Sequence, residues 1–114
     1  MRTVVTQHPQ ATVITLSGEL DADTAGRLRT LLAEQLRAGA SPVVLDLCEL
    51  SFIDSAGLAA LISASKGARR AGVELVLTGP VPAVRKVMKL TGVDVLLTTV
   101  GTVDQALARL AAPS

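Results

Sequence analysis

Val43-Val44-Leu45-Asp46-Leu47, followed by Phe52-Ile53-Asp54-Ser55-Ala56-Gly57-Leu58, is the stretch whose reading decides the fold. The first segment is apolar almost without alternation and is opened by Pro42, which fits a central strand covered on both faces. Beyond the second, Leu58, Leu61 and Ile62 recur at helical spacing, Lys66, Arg69 and Arg70 follow, and Gly72 can stop the chain. This predicts a helix from about Ser55 to Ala71, with cations near its negative end. A hydroxyl thus sits where a strand hands over to a helix, and Ser55 is the residue to explain.

Working outward, Thr3 to Thr6 and Ala11 to Ser17 read as strands joined by a turn at His8-Pro9-Gln10. After Gly18, the acidic run Glu19-Leu20-Asp21-Ala22-Asp23 precedes a helix bearing Leu28, Leu31, Leu32 and Leu36 and ending near Gly39, with Asp21 or Asp23 as its cap. Downstream, Val73 to Thr78 reads as a strand, and Gly79-Pro80-Val81-Pro82 leads into a helix carrying Val84, Val87 and Met88. Val95 to Thr98 reads as a short last strand. Thr102 and Gln105 have capping-box spacing before a closing helix through Ala106, Leu107 and Leu110, and the tail from Ala111 to Ser114 should fray.

The order is ββαβαβαβα: an α/β fold with a mostly parallel sheet, an initial hairpin that adds one antiparallel element, and about four helices. Closely spaced strand-helix-strand units favour parallel pairing. The residues alone leave open whether helices cover one face of the sheet or both. A chain of 114 residues matches one domain, 1–114.

Composition narrows the function. Only 1% of residues are aromatic, so Leu, Val and Ala must build the core, with Phe52 its sole ring. Eleven Lys and Arg against ten acids give a formal charge of +1, and the basic residues form no stripe, so nucleic acid is not an expected partner. Every apolar run is broken before the ~18 residues of a membrane span, and the N-terminus lacks a signal-peptide pattern; a cytoplasmic protein is expected. The lone Cys48, ending an apolar strand, reads as a buried structural thiol.

A serine at a strand-to-helix turn raises hydrolysis, but the nucleophile elbow needs Gly-x-Ser-x-Gly and a histidine base. Ile53 fills the first Gly position, and the only histidine, His8, falls in the hairpin turn. One His and one Cys far apart cannot make a metal site, and no glycine-rich phosphate loop is present, so no cofactor is expected. Among the acids, Glu19 and Asp23 read as capping residues. Asp21 and Asp54, each just after a strand, can approach one another and Ser55. Ser55 itself could be a plain N-cap. Two neighbours weigh against that: Asp54 could cap instead, and Gly57 stands in a first helical turn although glycine costs ~1 kcal/mol there. Ser55, Ala56, Gly57 and Leu58 thus suggest a flat, accessible surface for another protein.

Gly18-Glu19-Leu20-Asp21 and Leu50-Ser51-Phe52-Ile53-Asp54-Ser55-Ala56-Gly57-Leu58 carry a resemblance that spans essentially the whole chain. The sequence resembles bacterial anti-sigma factor antagonists built on the STAS domain. The resemblance implies a four- to five-stranded mixed sheet with helices packed mainly on one side. It also implies that Ser55 is phosphorylated by a partner that is both anti-sigma factor and serine kinase. Asp21, Asp23, Asp54, Ser55, Ala56, Gly57 and Leu58 are then expected to meet that partner. Ala56 stands where some members carry a second serine, leaving Ser55 the one acceptor in the motif. A phosphoserine phosphatase and a homodimer fit the same scheme. Within the family, an accessory subunit of a transporter or of a stress-sensing complex is the alternative; outside it, a small serine hydrolase.

Overall fold

The structure, a computed structural model, describes residues 1–38 and 41–111. Its elements are β1 (Arg2–Gln7), β2 (Thr12–Leu20), α1 (Ala25–Ala38), β3 (Val43–Ile53), α2 (Ser55–Ala71), β4 (Leu75–Thr78), α3 (Pro82–Leu90), α4 (Val93–Leu96), β5 (Thr99–Val100) and α5 (Val103–Ala111). The order ββαβαβαβα holds, with the single turn α4 added between α3 and β5. The helix stop expected at Gly39 and the tail at 112–114 lie outside the described residues.

The sheet order is β1-β2-β3-β4-β5. The hairpin makes β1 and β2 antiparallel, its turn closed by the His8 N–H donating to the Ala11 carbonyl at 2.9 Å. Every later strand returns through a helix and pairs in parallel. Alternation along the strands sends Ile14, Leu16, Val43, Leu45, Leu47 and Leu77 into the main core with α1, α2, α3 and α4. The opposite face carries Val13, Val44 and Val76, covered by Ala106 and by the partly buried Val103, Leu107 and Leu110 of α5. Helices therefore lie on both faces, four against one. The unbroken apolar run in β3 has this cause, since both of its faces are buried.

Three expectations need correction. Val95 to Thr98 is not a strand: Gly92, at φ 75°, turns the chain into α4, which buries Val93 while Leu97 follows into the core, and the last strand is Thr99–Val100. Such short apolar runs do not distinguish strand from helix by pattern. Cys48 is exposed, not buried. Phe52, expected in the core, is 47% exposed.

The exposure of Phe52 has its cause in the strand pairing. β3 runs six residues beyond Leu47, paired with β2 as far as Leu20. Between the pairs Thr15–Asp46 and Ser17–Glu49, and again between Gly18–Leu50 and Glu19–Phe52, β3 advances one residue more than β2. Each extra residue is a bulge that resets which face a side chain takes. Leu50 and Ile53 thereby both reach the core and Phe52 is turned outward, whereas Cys48 follows Leu47 onto the other face by ordinary alternation.

Candidate functional site

Leu20 and Ile53, the last residues of β2 and β3, are paired in parallel, so the chain leaves both strands side by side at Asp21 and Asp54. The Asp54 N–H donates to the Leu20 carbonyl at 3.2 Å, joining the two exits. Asp54 is extended (φ −115°, ψ −172°), and its carboxylate accepts from the Gly57 N–H at 2.9 Å. Asp54 is therefore the N-cap of α2. Ser55 is the first helical residue, exposed, with no part in the cap. The capping role that could have explained the serine belongs to its neighbour.

The other exit is built by Asp21 and Thr24. The Thr24 hydroxyl accepts from the Asp21 N–H at 2.9 Å, while Asp21 Oδ1 accepts from the N–H groups of Asp23 and Thr24 at 3.0 and 3.1 Å. The Thr24 hydroxyl also lies 3.0 Å from the Glu19 carbonyl oxygen, to which it donates. Asp21, and not Asp23, thus organises the turn into α1; Asp23 leaves its carboxylate exposed. Nor is Glu19 a cap, since it lies inside β2 and is exposed beside Phe52 in register. Thr24 carried no signal of its own in the sequence.

Two expected contact residues are corrected. Gly57 is buried: a Cβ there would clash with the Leu20 carbonyl oxygen and sit 2.8 Å from Cγ1 of Ile53. Its missing side chain lets α2 seat against the end of β2, an internal reason for the glycine. Leu58, 6% exposed, points into the core. Ala56 is half-buried. Ser55, Asp23, Glu19 and Phe52 are exposed at this end of the sheet, and Asp21 and Asp54 are half-buried. It is an acidic end with an exposed hydroxyl.

His8 lies at the opposite end of β2, roughly 25 Å of strand away, so it cannot act as a base for Ser55. Among the described residues no group of three or more His, Cys, Asp or Glu could hold a metal ion. A cavity of about 430 Å³ beside Arg85, Met88 and Leu97 takes none of its lining from the Ser55 loop. The exposed thiol of Cys48 is held above its ordinary pKa, first by its hydrogen bond with the Asp46 carboxylate and then by partial burial and the charges of Asp46 and Glu49.

The profile of the STAS domain family matches residues 2–106. The chain belongs to the STAS domain family. It is 39% identical over 77 residues to BtrV of Bordetella bronchiseptica and 38% identical over 77 residues to Osmosensory protein A of Mycobacterium tuberculosis, each match covering 68% of the chain. Those matches span 66% and 48% of the two relatives' own lengths. The anti-sigma-B factor antagonist of Listeria monocytogenes is 36% identical over 84 residues, 71% of either sequence. Among solved structures, an anti-sigma factor antagonist from Mycobacterium paratuberculosis superposes with a TM-score of 0.84 at 27% identity, covering 97% of this chain and 94% of its own. The antagonist SpoIIAA in its unphosphorylated form gives 0.81 at 23% identity over 99% of both chains, and its phosphorylated form 0.71 over 96% and 99%. At this identity SpoIIAA bears on the fold alone. No described helix is long and apolar enough to cross a membrane.

Proposed function

We propose that this STAS domain is an anti-sigma factor antagonist of the cytoplasm, acting as one domain of residues 1–114. Unphosphorylated, the surface of Ser55, Asp21 and Asp23 binds an anti-sigma factor with serine kinase activity and frees its sigma factor. Transfer of the γ-phosphoryl group of ATP to Ser55 Oγ ends the complex: the Oγ–P bond forms, the bond to ADP breaks, and the hydroxyl proton passes to a base of the kinase. A phosphatase would reset the switch. The observation that carries this reading is the division of labour at the head of α2, where Asp54 caps the helix and leaves the Ser55 hydroxyl exposed and unneeded by the fold.

The physics of the switch follows from that geometry. Phosphate adds roughly −1.5 to −2 charges at a helix start, where the dipole returns about 0.3 to 1 kcal/mol. The fold should therefore survive. A like charge on the partner, such as a nucleotide phosphate in its kinase site, at about 5 Å and an effective dielectric near 20 opposes the complex by about 3 kcal/mol per unit charge. That corresponds to about a hundredfold in affinity. Asp21 and Asp54, already present at the two strand exits, add to the local negative charge.

The test is mass spectrometry after incubating the chain with ATP and each kinase-like anti-sigma factor of its host. One phosphate on Ser55 is expected; a phosphate on another residue overturns the site. The likeness to Osmosensory protein A gives a second reading, a subunit of a stress-sensing complex, in which the same fold would join a larger assembly and no sigma-directed kinase would modify it.

A further inference from the structure

The chain's one aromatic residue is spent on the surface. Phe52 is 47% exposed, although hydrophobic residues make up 49% of the sequence and the core is filled without it. Its backbone is not loose: it lies on β3 in register with Glu19, one residue before Ile53, whose side chain is in the core, and two before the capping Asp54. Ser55 follows three residues later on the same end of the sheet. The bulge between Leu50 and Phe52 is what turns the ring outward.

From this placement we infer that Phe52 anchors the complex proposed above, inserting its ring into an apolar pocket of the anti-sigma factor whose rim carries a basic group facing Glu19. The inference rests on the antagonist reading and names the contact that supplies its affinity. Aromatic side chains are enriched at interface cores, and a ring with only two side-chain torsions loses little conformational freedom on docking. Glu19, exposed beside it, supplies the charge that a basic rim complements. The division is physical. Phe52 gives attraction that is indifferent to phosphorylation, and Ser55 gives the charge that reverses binding.

The test is calorimetric titration of the host's kinase-like anti-sigma factor with wild type, Phe52→Leu, Phe52→Ala and Glu19→Gln, alongside melting curves and sedimentation. Phe52→Ala should bind about thirtyfold more weakly, as an anchor truncated at a well-packed centre does. Phe52→Leu should keep most of the affinity, and Glu19→Gln should lower the salt dependence of binding. All should melt within a few degrees of wild type, because the ring packs little of the core. Phe52→Ala binding as tightly as wild type overturns the anchor while leaving the antagonist reading intact. A change in self-association confined to Phe52→Ala also overturns it, by showing that a second copy covers the ring. A wild type that binds no anti-sigma factor overturns both.

Discussion

The backbone carbonyl of Leu20 occupies the space that a side chain at residue 57 would need, and Gly57 is what allows α2 to begin there. The same carbonyl accepts from the Asp54 N–H, so one oxygen at the end of β2 fixes both the cap and the first turn of the helix that displays Ser55. Glycine at this position is a packing requirement of the junction.

Gly57→Ala should therefore destabilise the chain by about 1 to 3 kcal/mol, as overpacking does, even though the same change in an open helix gains ~1 kcal/mol. Gly67, in the same helix, is the control. A Cβ there meets only Cδ1 of Leu36 at 3.5 Å, an ordinary contact, and Gly67→Ala should stabilise. Urea unfolding of the two variants checks the sign of each.

Loss of the Asp54 carboxylate should cost about 1 kcal/mol, because the Gly57 N–H loses its partner. Asp54→Asn should cost less, since the amide oxygen can still accept. Ser55→Ala should stay within about 0.5 kcal/mol of wild type, as surface changes away from caps do. A Ser55→Ala variant as unstable as Asp54→Ala would return the capping role to the serine.

Cys48 is exposed yet should react slowly. Its thiol pKa is raised, chiefly by the Asp46 hydrogen bond, so less thiolate is present near neutral pH than for a free cysteine. Asp46→Asn removes the charge while its amide oxygen can still accept from the Cys48 N–H, at 3.1 Å in the native chain. Alkylation rates measured from pH 7 to 10 should rise severalfold at neutral pH in Asp46→Asn. Equal rates would show that the carboxylate does not govern the thiol.

The parts of this fold that were legible in the sequence are those written in one element's own residues. The apolar run 43–47 announced a strand buried on both faces, and Ser55 to Gly72 marked both ends of α2. What was not legible depends on two elements at once. The bulges of β3 exist only against β2, so the outward turn of Phe52 could not be read from an apolar pattern that suggested burial. Gly57 stands out in a first turn on helix propensity alone, but its reason is the Leu20 carbonyl, thirty-seven positions earlier in the sequence. The reciprocal bonds of Asp21 and Thr24 were half legible, since the acid stood out and the threonine did not. Thr99–Val100 was displaced from the predicted last strand because Gly92 spends the preceding apolar residues on a helical turn.

Added charge at Ser55 is expected to break an interface without disturbing the fold. The direct measurement is the affinity of the cognate anti-sigma factor for the unphosphorylated and the Ser55-phosphorylated chain, with Ser55→Ala and Ser55→Asp as fixed states and melting curves for all four. The prediction is tight binding by the unphosphorylated chain and by Ser55→Ala. Phosphorylation should weaken binding by at least about a hundredfold, Ser55→Asp should weaken it by less, and melting temperatures should stay close to wild type. Equal affinity of the phosphorylated and unphosphorylated chains would contradict it.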